Sequence, residues 1–131
     1  MDSGRNVLVY YHNPEFLDRY QKLLEEARQD LNLLICRDEA AIANVVKDSE
    51  IIFAGHTFPM HAISRAKRLK WIQAMGAGVE NFVRSKAIPP HVTLTKIRGL
   101  FSSIMAEYVL GYMLALTQRM EEVFENKRKK Q

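Results

Sequence analysis

The sequence predicts an α/β fold: a small doubly wound, mostly parallel five-stranded sheet followed by a long C-terminal helix. Three observations predict it. Five short apolar runs, at residues 7–11, 31–36, 51–54, 71–75 and 92–95, alternate with segments of helical spacing. Strands that alternate with helices imply crossover connections and parallel pairing. The runs are continuous rather than alternating, as expected of strands covered on both faces.

The elements follow in order. Val7-Leu8-Val9-Tyr10-Tyr11 is the first strand. Asn13 and Pro14 then open a helix, one as cap and the other at the first helical position. Phe16, Tyr20, Leu23, Leu24 and Ala27 recur along it at helical spacing. The second strand is 31–36. Asp38 caps a second helix with Ile42, Val45 and Val46 on its apolar face. The third strand, 51–54, ends at Gly55. Pro59 breaks the following loop, and a short basic helix is expected over 61–68. The fourth strand, 71–75, ends at Gly76, and Pro89-Pro90 turns the chain into the fifth. Ser102 or Ser103 can cap a long helix reaching Asn126, which at 1.5 Å per residue would be ~36 Å long. The sheet style is flavodoxin-like. Residues 1–101 form the domain proper, and 102–131 form the helix and a basic tail.

Composition narrows the function classes. The chain has 131 residues, 47% hydrophobic and 26% charged, which fits one folded domain. Its net charge of +4 misleads, because Lys127, Arg128, Lys129 and Lys130 supply all of it. Without them 15 basic residues balance 15 acidic ones, so the folded body has no basic face for nucleic acid or a membrane. No segment reaches the ~20 apolar residues of a membrane helix. The opening Met1-Asp2-Ser3-Gly4 is polar and does not read as a signal peptide. A single cysteine, Cys36, rules out an internal disulfide and fits a reducing compartment. A cytoplasmic protein is expected. Cys36 ends an apolar run and reads as a buried, inert thiol rather than a nucleophile.

Chemistry is expected at the carboxyl ends of the strands, where open parallel sheets bind ligands. Those ends are His12-Asn13, Gly55 through Pro59, Met75 through Gly78, and Lys96 through Gly99. Gly76-Ala77-Gly78 admits three readings. It is the start of a dinucleotide fingerprint, a tight turn without a ligand, or a loop whose N–H groups hold a small anion such as a carboxylate. The first is weakened because the third glycine would fall at Asn81, and because phosphate loops usually follow the first strand. A phosphate-accepting signalling domain needs acids where this chain has Tyr11-His12-Asn13 and Ala54-Gly55. A flavin site needs a Ser/Thr-rich loop where it has His12-Asn13-Pro14-Glu15. The histidines have no ligand-spaced partners, so no metal site is expected. His12, His56 and His61 are each a cleft residue or a plain surface histidine. Arg98 is either a charge for an anionic substrate or a structural ion-pair partner.

Two blocks carry a more specific signal. The first is Leu69-Lys70-Trp71-Ile72-Gln73-Ala74-Met75-Gly76-Ala77-Gly78-Val79-Glu80-Asn81. The second is Val92-Thr93-Leu94-Thr95-Lys96-Ile97-Arg98-Gly99, followed by Ile104-Met105-Ala106-Glu107-Tyr108-Val109-Leu110. In wording and spacing they resemble the D-isomer-specific 2-hydroxyacid dehydrogenases, closest to the glyoxylate/hydroxypyruvate-reductase-like branch. The resemblance implies a two-domain enzyme that uses NAD or NADP to reduce 2-oxoacids. It implies that backbone N–H groups at Ala77 and Gly78, with Val79 adjoining, hold the substrate carboxylate. His56 and Thr57 would line the same cleft. Glu80 departs from the family's usual Asp. The family's nucleotide fingerprint and its catalytic Arg, Glu and His have no counterpart here, so this chain alone is expected to bind no cofactor, carry no catalytic residue and be inactive. The expected partners are a small 2-oxoacid or 2-hydroxyacid and a second copy, joined as a homodimer through the helix between Ser103 and Asn126. The alternative is a non-catalytic interaction domain with the same fold.

Overall fold

A computed structural model describes residues 4–130; residues 1–3, the first three of the polar opening, and the terminal Gln131 lie outside it. The chain forms two compact units, 1–97 and 98–131.

The first unit is a five-stranded parallel sheet ordered β2-β1-β3-β4-β5. The strands are β1 (Arg5–Tyr10), β2 (Leu31–Cys36), β3 (Ile51–Ala54), β4 (Trp71–Ala74) and β5 (Thr93–Thr95). Helix α1 (Pro14–Ala27) starts where Asn13 Oδ1 accepts from Glu15 N at 2.9 Å, with proline at the first position. Helix α2 (Glu39–Val45) starts where Asp38 Oδ1 accepts from Ala41 N at 2.7 Å. Strand periodicity sorts β1 between two cores. Val7 and Val9 pack with Leu17 of α1 on one face. Leu8 and Tyr10 pack with Ile42, Ile63 and Phe82 on the other. Helices therefore lie on both faces, as doubly wound topology requires.

The segment expected as a basic helix over 61–68 is instead a 3-10 helix, Met60–Arg65. Met60, Ala62 and Ile63 are all buried, and tight winding turns these closely spaced residues inward. Helix α3 (Glu80–Arg84) is a short turn anchored by the fully buried Phe82. Cys36 is buried, and burial pushes its thiol up to about 11, with Asp38 adding to the rise. It is an inert core residue at neutral pH.

The second unit contains α4 (Ser102–Thr117) and α5 (Met120–Arg128). The long helix expected to reach Asn126 is therefore two helices. Arg119 sits in the left-handed region (φ 48°, ψ 44°) and ends the regular ladder. Just before it, the Thr117 hydroxyl donates back to Met113 O at 2.9 Å and Leu114 O at 3.1 Å, a pattern that bends helices. Neither Ser102 nor Ser103 caps α4; Phe101 holds the cap position without a side-chain bond. No residue of α4 is buried.

Candidate functional site

The strand order places β2 on one side of β1 and β3 on the other. The crevice outside the carboxyl ends of β1 and β3 is thus a topological switch point, where open α/β sheets take ligands. Backbone bonds extend the sheet into the loops there. Gly55 N donates to Tyr10 O (3.3 Å), Met75 N to Ala54 O (3.0 Å) and Ile97 N to Gly76 O (3.3 Å).

A cavity of about 250 Å³ opens at this point, lined by Tyr11, Gly55, His56, Met75, Gly76, Gly78 and Glu80. Each wall has a local cause. A Cβ on Gly55 would stand 2.7 Å from the Tyr11 ring, so only glycine lets the tyrosine lie against this loop. Phe58 N donates to Gly55 O at 3.2 Å and closes the turn that exposes His56 and Thr57. The His12 ring stands edge-on to His56, centroids 5.8 Å apart. Asn81 Nδ2 donates to His56 O (2.8 Å) and to Phe58 O (3.4 Å), tying the β3 loop to the start of α3.

The opposite wall is the loop after β4. Ala77 and Gly78 are exposed and Val79 is half-buried. Among the described residues, the N–H groups of these three donate no loop hydrogen bond. Successive N–H groups without an internal partner, in a loop that lines a cavity, suit a small anion.

The structure brings His56 and Gly78 together on the cavity, with Ala77 and Val79 flanking Gly78 in the same loop. Thr57 is exposed in the His56 turn but is not among the lining residues. His61 lies elsewhere, its Nε2 3.9 Å from Glu39 Oε1. Arg98 is an exposed residue of the second unit. Three residues were not named as site residues from the sequence: the wall residues Tyr11 and Glu80 and the staple Asn81. Tyr11 was legible, because the last residue of a β1 run points into the loop region. Asn81 was not, because its bonds reach across the fold.

A larger cavity of about 580 Å³ lies at the opposite, amino ends of the strands. Two of its rim charges engage each other: Arg28 donates to Asp30 through bonds of 2.8 and 2.6 Å. Size alone does not make it the site, since ligand crevices in this architecture lie at the other edge. Among the described residues, no group of three His, Cys, Asp or Glu side chains is placed to hold a metal ion.

Solved structures share this architecture. A D-isomer-specific 2-hydroxyacid dehydrogenase family protein from Aeromonas salmonicida superimposes with a TM-score of 0.77 at 23% identity. The fold is that of the D-isomer-specific 2-hydroxyacid dehydrogenases. The match covers 98% of this chain and 40% of that one. A probable 2-hydroxyacid dehydrogenase from Rhizobium etli, solved with NADP, HEPES and L(+)-tartaric acid, matches with a TM-score of 0.68 at 20% identity. It is covered over 39% of its length, for 98% of this chain. D-Lactate dehydrogenase from Aquifex aeolicus, complexed with NAD and lactic acid, also gives 0.68 at 20% identity, with 95% of this chain and 37% of that one covered. The chain thus spans about two fifths of the dehydrogenases it matches. No protein-family profile matches it, and no curated protein does.

Proposed function

We propose that this chain is the substrate-binding domain of an NAD(P)-dependent D-2-hydroxyacid dehydrogenase acting on small 2-oxoacids of the glyoxylate/hydroxypyruvate type. The observation that supports this reading is the loop Gly76 to Val79: Gly76 and Gly78 line a small cavity at the switch point, and the N–H groups of 77–79 make no loop hydrogen bond among the described residues. In this reading residues 1–101 bind and orient the acid, and 102–131 link onward and pair two copies. Ala77, Gly78 and Val79 take the carboxylate by backbone hydrogen bonds, and His56 and Thr57 shape the cleft. The protein is read as cytoplasmic. Among the described residues, no helix is long and apolar enough to cross a membrane.

A dinucleotide does not fit these residues. Gly76-Ala77-Gly78 runs into a five-residue helix with Asn81 where a third glycine belongs. A cavity of about 250 Å³ is also below the range for a drug-sized ligand, though ample for an acid of two or three carbons. The hydride carrier is therefore assigned to residues other than these, and the role of this chain is binding and orientation.

The experiment is a paired titration of the pure chain. NADH and NADPH, followed by fluorescence, are expected to show no micromolar binding. Glycolate and D-glycerate, followed by ligand-observed NMR, are expected to bind weakly. Micromolar cofactor binding contradicts the reading. The exposed apolar α4 favours a second reading, an interaction domain of the same fold, in which neither acid binds.

A further inference from the structure

The cavity that takes the carboxylate has an acid on its own wall. Glu80 begins α3, and its Oε2 stands 2.9 Å from where a Cβ on Gly78 would be. Its carboxylate therefore lies over the same loop that offers the open N–H groups. Among the described residues no ion pair neutralises it. Across the cavity stand Tyr11 and His56, with His12 against His56.

We infer that Glu80 is a specificity-determining residue: it favours a small monoanion whose substituent donates a hydrogen bond, and it rejects a second carboxylate. This rests on the reading of the loop as the anion site. An ionised carboxylate only accepts hydrogen bonds. A hydroxyl on the third carbon of a substrate can donate to it, and a methyl offers it nothing. The loop N–H groups offset the charge of the one carboxylate they hold, whereas a second carboxylate beside Glu80 has no such donors and is repelled. The exposure of Glu80 to solvent moderates the repulsion without removing it.

The test uses three acids on one 2-hydroxyacid skeleton: D-glycerate, D-lactate and tartronate. They carry CH2OH, CH3 and COO⁻ at the same position. Dissociation constants for the wild-type chain and for Glu80→Gln come from amide NMR titrations. Wild type is expected to bind D-glycerate best, D-lactate about threefold more weakly, and tartronate at least tenfold more weakly. In Glu80→Gln, tartronate should come within threefold of D-glycerate. If the acids bind at Gly78 but their ratios do not move in Glu80→Gln, the anion loop stands and the Glu80 assignment fails. If no acid binds either protein, both fail.

Discussion

The isolated chain should self-associate through α4, and Leu110→Lys or Leu114→Lys should return it to a monomer with the fold intact. From Ile104 to Leu116 the only charged residue is Glu107. Nine large apolar or aromatic side chains of α4, from Ile104 to Leu116, are between 53% and 76% exposed. They lie all round the axis, whereas the surface helix of a monomer carries a single apolar stripe. Contiguous apolar surface of this kind is expected to be covered by a partner. Burying ~500 Å² of it would favour association by roughly 12 kcal/mol before the entropy losses that take back much of it. The break at Arg119 sets the reach of this surface. The interface should involve α4 and not a continuous helix to Asn126, because α5 is rich in charge: Glu121, Glu122, Glu125, Lys127 and Arg128. Light scattering after gel filtration, from about 5 to 200 μM, decides it. A monomer over the whole range, with no binding of a hydrophobic dye, contradicts the expectation.

Gly78→Val should abolish carboxylate binding while leaving the fold in place. The only neighbour a Cβ at Gly78 would meet closely is Glu80 Oε2, at 2.9 Å, the free end of a flexible side chain. The backbone there does not need glycine, since Gly99 is the glycine with a left-handed φ among the described residues. A valine there would add its methyls to a wall of the cavity that Gly78 and Glu80 line. Losing two charge-assisted hydrogen bonds costs on the order of 3 kcal/mol, roughly a hundredfold in affinity. An affinity for glycolate within threefold of wild type, with unchanged circular dichroism, would show that the loop is not the anion site.

The parts of this molecule legible in its sequence are those set by local chemistry. Asn13-Pro14 and Asp38 announced α1 and α2 because their caps act within three residues. The apolar runs 31–36 and 51–54 matched β2 and β3 residue for residue. Gly55 and Gly76 marked the strand ends that frame the cavity. What escaped is non-local or carried by ordinary residues. A left-handed arginine at position 119 has no signature, as the usual signal for that conformation is glycine or asparagine. The 3-10 winding of Met60–Arg65 answers to burial between neighbouring elements and not to its own periodicity. The Asn81 staple joins residues 23 and 25 positions apart, so only the folded chain reveals it.

An amide-resolved NMR titration with glycolate tests whether the loop after β4 holds a substrate carboxylate. The largest shifts are expected on Ala77, Gly78 and Val79, with smaller ones at Gly55 and His56. Shifts confined to Arg5, Phe53 and Trp71, around the cavity at the amino ends of the strands, would contradict it, as would no shift at all.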